Sequence, residues 1–131
     1  MSEYKMPASG AFCWNELATT DAAGAKKFYT ELFGWRWREG DATGMPYNEI
    51  VNAGRPVGGL FETPPECRDL PPQWRLYVAV DDVDASARKV EELGGRVVMQ
   101  PTDIRHVGRF CVILDPYGAQ LSLIKLAQPI S

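Results

Sequence analysis

The sequence predicts an α+β domain built from two tandem βαβββ modules, and three observations carry that prediction. The 131 residues are enough for one domain with its own core and no disulfide or metal staple. Twelve glycines and ten prolines exceed the usual combined share of about 12%, which favours many turns and more strand than helix. The third observation is internal repetition. Ala18-Thr-Thr-Asp21…Glu31-Leu32-Phe-Gly34 realigns on Ala79-Val-Asp-Asp82…Glu92-Leu93-Gly-Gly95 at an offset of 61 residues (Asp21 to Asp82). Tyr47–Asn52 realigns on Phe110–Asp115 at an offset of 63 (Asn52 to Asp115). The matches fall on caps, apolar faces and turns.

In the first repeat, Phe12 to Ala18 reads as a strand. Asp21 is a helix N-cap, and Ala22, Ala25, Phe28/Tyr29 and Leu32/Phe33 form an apolar stripe at helical spacing. Phe28 and Phe33 are thereby expected in the core. Gly34 stops the helix by taking the left-handed position past its end. Trp35–Arg38, Met45–Asn52 and Pro56–Glu62 read as three strands, with Asn52-Ala-Gly54-Arg as a hairpin turn.

The second repeat follows suit. Leu76, Val78 and Val80 alternate with Arg75, Tyr77 and Ala79, the pattern of a strand with one face under a helix. Val83, Ala87, Val90 and Leu93 make the second helical stripe, with Arg88, Lys89, Glu91 and Glu92 on the wet side, and Gly94-Gly95 ends it. Arg96–Gln100, Gly108–Leu114 and Ala119–Lys125 follow as strands, with Asp115-Pro-Tyr-Gly118 as the last turn. The modules are expected at about residues 11–62 and 74–126. They are joined by a linker at 63–73 that carries four prolines and no periodicity. About 60 residues bury too little surface to fold alone, so the halves are expected to form a single domain, 1–131.

Composition closes off several functions. Seventeen acids against fourteen bases leave a net charge of −3 and a pI near 5.1, with no basic block of the kind nucleic-acid binding requires. No apolar run is long enough to cross a bilayer. The opening Met1-Ser-Glu-Tyr-Lys-Met-Pro lacks the basic-then-apolar pattern of a secretory signal, so the cytoplasm is the expected location. Cys13, Cys67 and Cys111 are odd in number and widely spaced, with no CxxC, and are expected to be reduced. There is no P-loop, GxGxxG, GxSxG or HExxH.

An ordered set of short signatures spans Phe12 to Lys125. It comprises Trp14-Asn-Glu-Leu-Ala-Thr-Thr-Asp21, Phe28-Tyr29…Leu32-Phe33-Gly34-Trp35, Val80-Asp-Asp-Val-Asp-Ala85, Leu93-Gly-Gly95, Pro101-Thr-Asp-Ile104 and Gly108-Arg-Phe110…Leu114-Asp-Pro-Tyr-Gly118. The set resembles the glyoxalase, bleomycin-resistance and extradiol-dioxygenase (vicinal oxygen chelate) superfamily, and within it a branch related to lactoylglutathione lyase. The resemblance implies a cup-shaped, helix-covered mixed sheet and a homodimer. It also implies, in metal-using members, up to four His, Glu or Gln side chains on the first and last strand of each module. These hold a divalent ion (Zn, Ni, Mn or Fe) that acts as a Lewis acid.

The implied first-strand positions fall on Trp14 and Arg75, and the last-strand positions on Gly59 and Ser122. Those residue types do not make a usual divalent site, so no metal is expected there. A displaced site drawing on Glu16, Glu49, Glu62 and His106, the only histidine, is the alternative. Glu16 and His106 are the catalytic candidates. The ligand-binding candidates are Trp14, Glu16, Arg75, Tyr77, Arg109 and Ser122. Trp14 and Tyr77 would stack, while Glu16, paired with Arg75, and Ser122 would orient polar groups. Arg109, on a loop Asp103–Arg109, would offer a forked donor to an anion. Trp35, Trp37 and Trp74 would line either the ligand surface or a junction. Three functions remain open: metal-free binding of a small aromatic or anionic molecule, a metal-dependent lyase, isomerase or dioxygenase, and a non-catalytic interaction module.

Overall fold

The computed structural model describes residues 6–42, 45–65, 71–104 and 107–129. The chain is α+β. Among the described residues the elements run β1 (Phe12–Thr19), α1 (Ala22–Phe33), β2 (Arg36–Ala42), β3 (Met45–Asn52), β4 (Arg55–Glu62), β5 (Gln73–Ala79), α2 (Val83–Glu92), β6 (Arg96–Ile104), β7 (Gly108–Leu114) and β8 (Gln120–Leu126). This is βαβββ twice. Contacts group the chain into two compact units: Trp14–Arg75, and the residues up to Cys13 together with those from Leu76 onward.

In the Trp14–Arg75 unit, β1 runs parallel to β4, β4 antiparallel to β3, and β3 antiparallel to β2. The β3–β4 turn places Ala53 (φ 52°) and Gly54 (φ 79°) both in the left-handed region, as two-residue hairpins that follow the sheet's own twist require. Helix α1 begins where Asp21 Oδ1 accepts the Gly24 N–H (2.8 Å), and Glu62 Oε1 accepts the Ala22 N–H (3.1 Å). It ends at Gly34, φ 78°, whose N–H donates to Thr30 O. Leu17, Leu60 and Asn48 share one sheet face through the Leu17–Leu60–Asn48 rung, and Lys26 of α1 reaches Asn48 there (3.4 Å).

One expectation for α1 is corrected. Phe28 and Phe33 are not core: they are 59% and 56% exposed. Residues on a helix advance by 100° each. The arc turned toward the strands is the half-buried Ala22, Ala25 and Tyr29, which leaves Phe28 well to one side.

In the other unit β5 runs parallel to β8, β8 antiparallel to β7, and β7 antiparallel to β6. Helix α2 starts at Asp82, whose Oδ1 accepts the Ala85 N–H (3.0 Å). Val83 and Ala87 pack on Cys111, Ile113 and Leu123, with Val78, Val80, Val90, Val97 and Leu121 around them. Of the strand alternation read from the sequence, Val78 and Val80 join this layer, whereas Leu76 is 45% exposed. Cys111 is fully buried, and burial pushes its thiol above the usual cysteine range.

Leu93 departs from the expected stripe, being the exposed residue that closes the helix. The repeat also slips here. The left-handed glycine is Gly94, φ 93°, whereas Gly95 is small for want of space, since a Cβ on it would lie 2.7 Å from Leu114 O and 2.8 Å from Val90 Cγ1. Strand β6 runs on to Ile104, so Asp103 is strand rather than loop. Two register shifts, at Val97/Met99 and Met99/Thr102, let it pass Pro101, which has no N–H to give. In the β7–β8 turn, Asp115 Oδ1 accepts the N–H groups of Tyr117 (2.9 Å) and Ala119 (3.0 Å).

Two outcomes follow from the caps and turns. Asp21→Ala and Asp82→Ala should each cost about 0.5–2 kcal/mol, read as a lowered urea midpoint with an unchanged slope. The backbone donors of Ala119 and Tyr117 hold the Asp115 carboxyl below its ordinary range. The stabilisation is therefore present above that range and drains away as pH falls through it. Melting temperature against pH should fall less steeply on the acid side in Asp115→Asn than in the parent chain.

Candidate functional site

On the sheet face of the Trp14–Arg75 unit opposite Leu17 and Leu60, the registered rungs bring a set of polar and aromatic side chains together. Glu16 pairs with Gly59, Gly59 with Glu49, and Glu49 with Arg38. Trp14 and Tyr47 lie two residues from Glu16 and Glu49 on their strands and so share that face. The Trp14 Nε1–H donates to the Tyr47 hydroxyl oxygen (3.0 Å), and the Tyr47 O–H donates to Glu16 Oε2 (2.8 Å). Glu16 is buried at 8% exposure, where a carboxylate persists only with donors supplied to it. Gly59 makes the arrangement possible, because a Cβ added there would overlap the Tyr47 hydroxyl and Cζ.

Around this chain of bonds lie Phe61, nearly parallel to Tyr47 (6.5 Å, 15°), and the Arg75 guanidinium, 5.6 Å above the Phe61 ring. The Arg75 Nε is buried with no hydrogen-bond partner. The expected Glu16–Arg75 pair is thus replaced by Glu16–Tyr47, with Arg75 over an aromatic face. Glu49 accepts from Arg38 (2.6 Å), and Glu62 from the first turn of α1.

In the second unit Tyr77 and Ser122 are registered partners and both are buried. Tyr77 lies 6.3 Å from Phe110, tilted, and Ser122, 1% exposed, has no hydrogen-bond partner for its Oγ. Arg109 does not offer a free fork. Its Nε and Nη2 donate to the two oxygens of Asp84 (both 2.9 Å), and its Nη1 donates to Asp103 (3.1 Å). These bonds hold Asp84 below the usual carboxylate range and push the Arg109 guanidinium up. Arg109 is a tie between the first turn of α2 and strand β6. His106, Arg105 and Cys67 lie outside the described residues. Trp35, Trp37 and Trp74 gather beside α1: Trp35 lies 5.4 Å from Tyr29 and 4.9 Å from Phe33, Trp74 lies 5.6 Å from Tyr29, and Trp37 donates to Thr30.

The fit of a divalent metal can be judged from these donors. Of the implied positions, Gly59 has its space filled by Tyr47, Trp14 and Arg75 carry no cation ligand, and Ser122 offers one neutral hydroxyl. Glu49 and Glu62, the acids of a displaced site, are engaged elsewhere. Among the described residues no three of His, Cys, Asp and Glu gather closely enough to hold an ion. The donor set of the described residues does not fit.

Sequence reasoning missed Tyr47 and Phe61. A signal for Tyr47 was present: it alternates with Glu49 along β3, and a glycine stands in the strand beside it where a side chain would otherwise sit.

Comparison with known proteins gives the family of the chain. A model of the glyoxalase-like domain matches residues 13–124. "Putative glyoxylase CFP32" of Mycobacterium bovis is 42% identical over 125 residues, covering 93% of this chain and 47% of that protein. Anthracycline biosynthesis protein DnrV of Streptomyces peucetius is 33% identical over 129 residues, covering 88% and 47%. The chain therefore spans about half the length of these relatives. Among solved structures, methylmalonyl-CoA epimerase from Mycobacterium tuberculosis has the same fold at 20% identity, with a TM-score of 0.67 over 95% of this chain and 94% of that one.

Replacing Tyr47 by Phe removes the oxygen that receives Trp14 and the donor that serves Glu16, and should cost about 1–3 kcal/mol. Gly59→Ala should be strongly destabilising in the parent chain and much milder in a Tyr47→Ala background. Chemical denaturation of the four proteins gives that coupling directly.

Proposed function

Because this chain belongs to the glyoxalase-like family of the vicinal oxygen chelate superfamily, we propose that it binds a small aromatic molecule carrying an anionic group, without a divalent metal. The Arg75 Nε carries the reading. A guanidinium N–H shut away from water without an acceptor is costly, and a ligand carboxylate or enolate oxygen would satisfy it. The adjacent Phe61 and Tyr47 rings supply the aromatic surface against which a planar ligand packs. Trp14 acts one step back: its indole N–H fixes the Tyr47 hydroxyl, which leaves the Glu16 carboxylate oriented toward polar groups of the ligand.

Two features of the relatives support this direction. DnrV and DauV are named for anthracycline biosynthesis, and anthracyclines are fused aromatic molecules. Structural neighbours include methylmalonyl-CoA epimerases, whose named substrate carries a carboxylate. The proposal differs from a metal-dependent lyase, isomerase or dioxygenase in the role of Glu16, a buried carboxylate that accepts from Tyr47.

Chelator-treated protein should bind aromatic carboxylates such as 2-naphthoate or anthraquinone-2-carboxylate in calorimetry, and should bind 2-naphthalenemethanol more weakly. Arg75→Met should weaken the carboxylates by about ten- to a hundredfold, the worth of a charged hydrogen bond. Binding that appears only after zinc, nickel, manganese or iron is added, or that ignores Arg75→Met, would overturn the proposal.

A further inference from the structure

Three arginines of this chain are held in two different ways. Arg38 gives its Nε and Nη2 to Glu49 (both 2.6 Å), and Arg109 gives its donors to Asp84 and Asp103. Arg75 is half-buried, yet it makes no ion pair among the described residues and its Nε has no acceptor. What it has is a ring: the centre of the guanidinium lies 5.6 Å from the centroid of Phe61.

The two ways differ chemically. A carboxylate holds a guanidinium by occupying its N–H groups. An aromatic face holds it through the ring's quadrupole and offers no lone pair in exchange, so the donors stay open. Phe61 is well placed for this. It stands two residues from Gly59 on β4 and so shares its face, and its registered neighbour on β1 is the small Ala18. Tyr47 lies nearly parallel to it at 6.5 Å, and the Tyr47 hydroxyl is fixed in turn by Trp14 and Glu16. An ion pair between Arg75 and Glu16, which lies on the same face, would have consumed the donors that the ring leaves open.

We infer that Phe61 is the positioning residue for Arg75: its ring holds the guanidinium in place without hydrogen-bonding it, so that Nε stands ready for the oxyanion of a ligand. The inference rests on the binding of an aromatic anion by Arg75 proposed for this site, and it gives Phe61 a second role beyond that of apolar wall. Ligand charge separates the two roles. A wall serves neutral and anionic ligands alike, whereas a held guanidinium serves the anion.

Replacing Phe61 in the intact chain by phenylalanines with one, two and three ring fluorines nearly keeps its size while the negative face of the ring fades. In calorimetry the affinity for 2-naphthoate should fall stepwise, by about three- to tenfold with three fluorines. Affinity for 2-naphthalenemethanol, which has the same rings and no charge, should change by less than about twofold. Phe61→Leu should lose as much of the preference for the carboxylate, and Phe61→Trp should keep it. In an Arg75→Met background the fluorines should move both ligands alike. A carboxylate affinity indifferent to fluorination, or both ligands weakened equally in the parent background, overturns the inference and leaves the binding of aromatic anions standing. Failure of the parent chain to bind 2-naphthoate overturns both.

Discussion

A carboxylate withdrawn from water must be given donors, and in the Trp14–Arg75 unit that requirement organises everything near it. Glu16 sits on a strand whose next rung is a glycine. The missing side chain at Gly59 is the space into which Tyr47 lays its hydroxyl. That hydroxyl is both donor to Glu16 and acceptor from Trp14, so a large, a small and a charged residue are mutually required. None can be exchanged without stranding another.

The two modules solve the same packing problem differently. In the second, α2 drives Val83 and Ala87 into a continuous apolar layer, and Arg109 ties its first turn to β6 through Asp84 and Asp103. In the first, α1 is held mainly by polar contacts at its ends and by Tyr29, which leaves much of its apolar surface facing outward. A repeated architecture thus carries one inward-facing and one outward-facing helix, and the sequence difference responsible is small. Val83 and Ala87 lie on the arc turned to their strands, whereas Phe28 and Leu32 lie beside it.

Most of the fold was legible because its signals are local. Asp21 and Asp82 cap helices, Gly34 closes one, Ala53-Gly54 turns a hairpin, and β3 and β7 span the residues that alternation assigned to them. The offsets of 61 and 63 residues even carry the Glu16–Gly59 rung onto Tyr77–Ser122. Legibility of the candidate site was partial. Strand parity put Trp14 and Glu16 on one face, but parity cannot say which neighbour on another strand reaches a given carboxylate, and Arg75 was chosen where Tyr47 stands. Arg109 was misjudged because Asp84, which accepts two of its hydrogen bonds, lies on a helix 25 residues away in sequence. Phe28 was misjudged because a stripe read in pairs hides which member points inward, and Phe33 because both members of the last pair stand exposed. Gly94 and Gly95 exchange roles because left-handed geometry and lack of space both ask for glycine.

Cys111 has one more consequence. Its sulfur is sealed between the sheet and α2, and burial holds it as the unreactive thiol. A maleimide or disulfide reagent can reach it only when that layer parts. The rate at which this sulfur is modified is therefore a built-in clock for the breathing of the second module, obtainable from the native chain without attaching any label in advance.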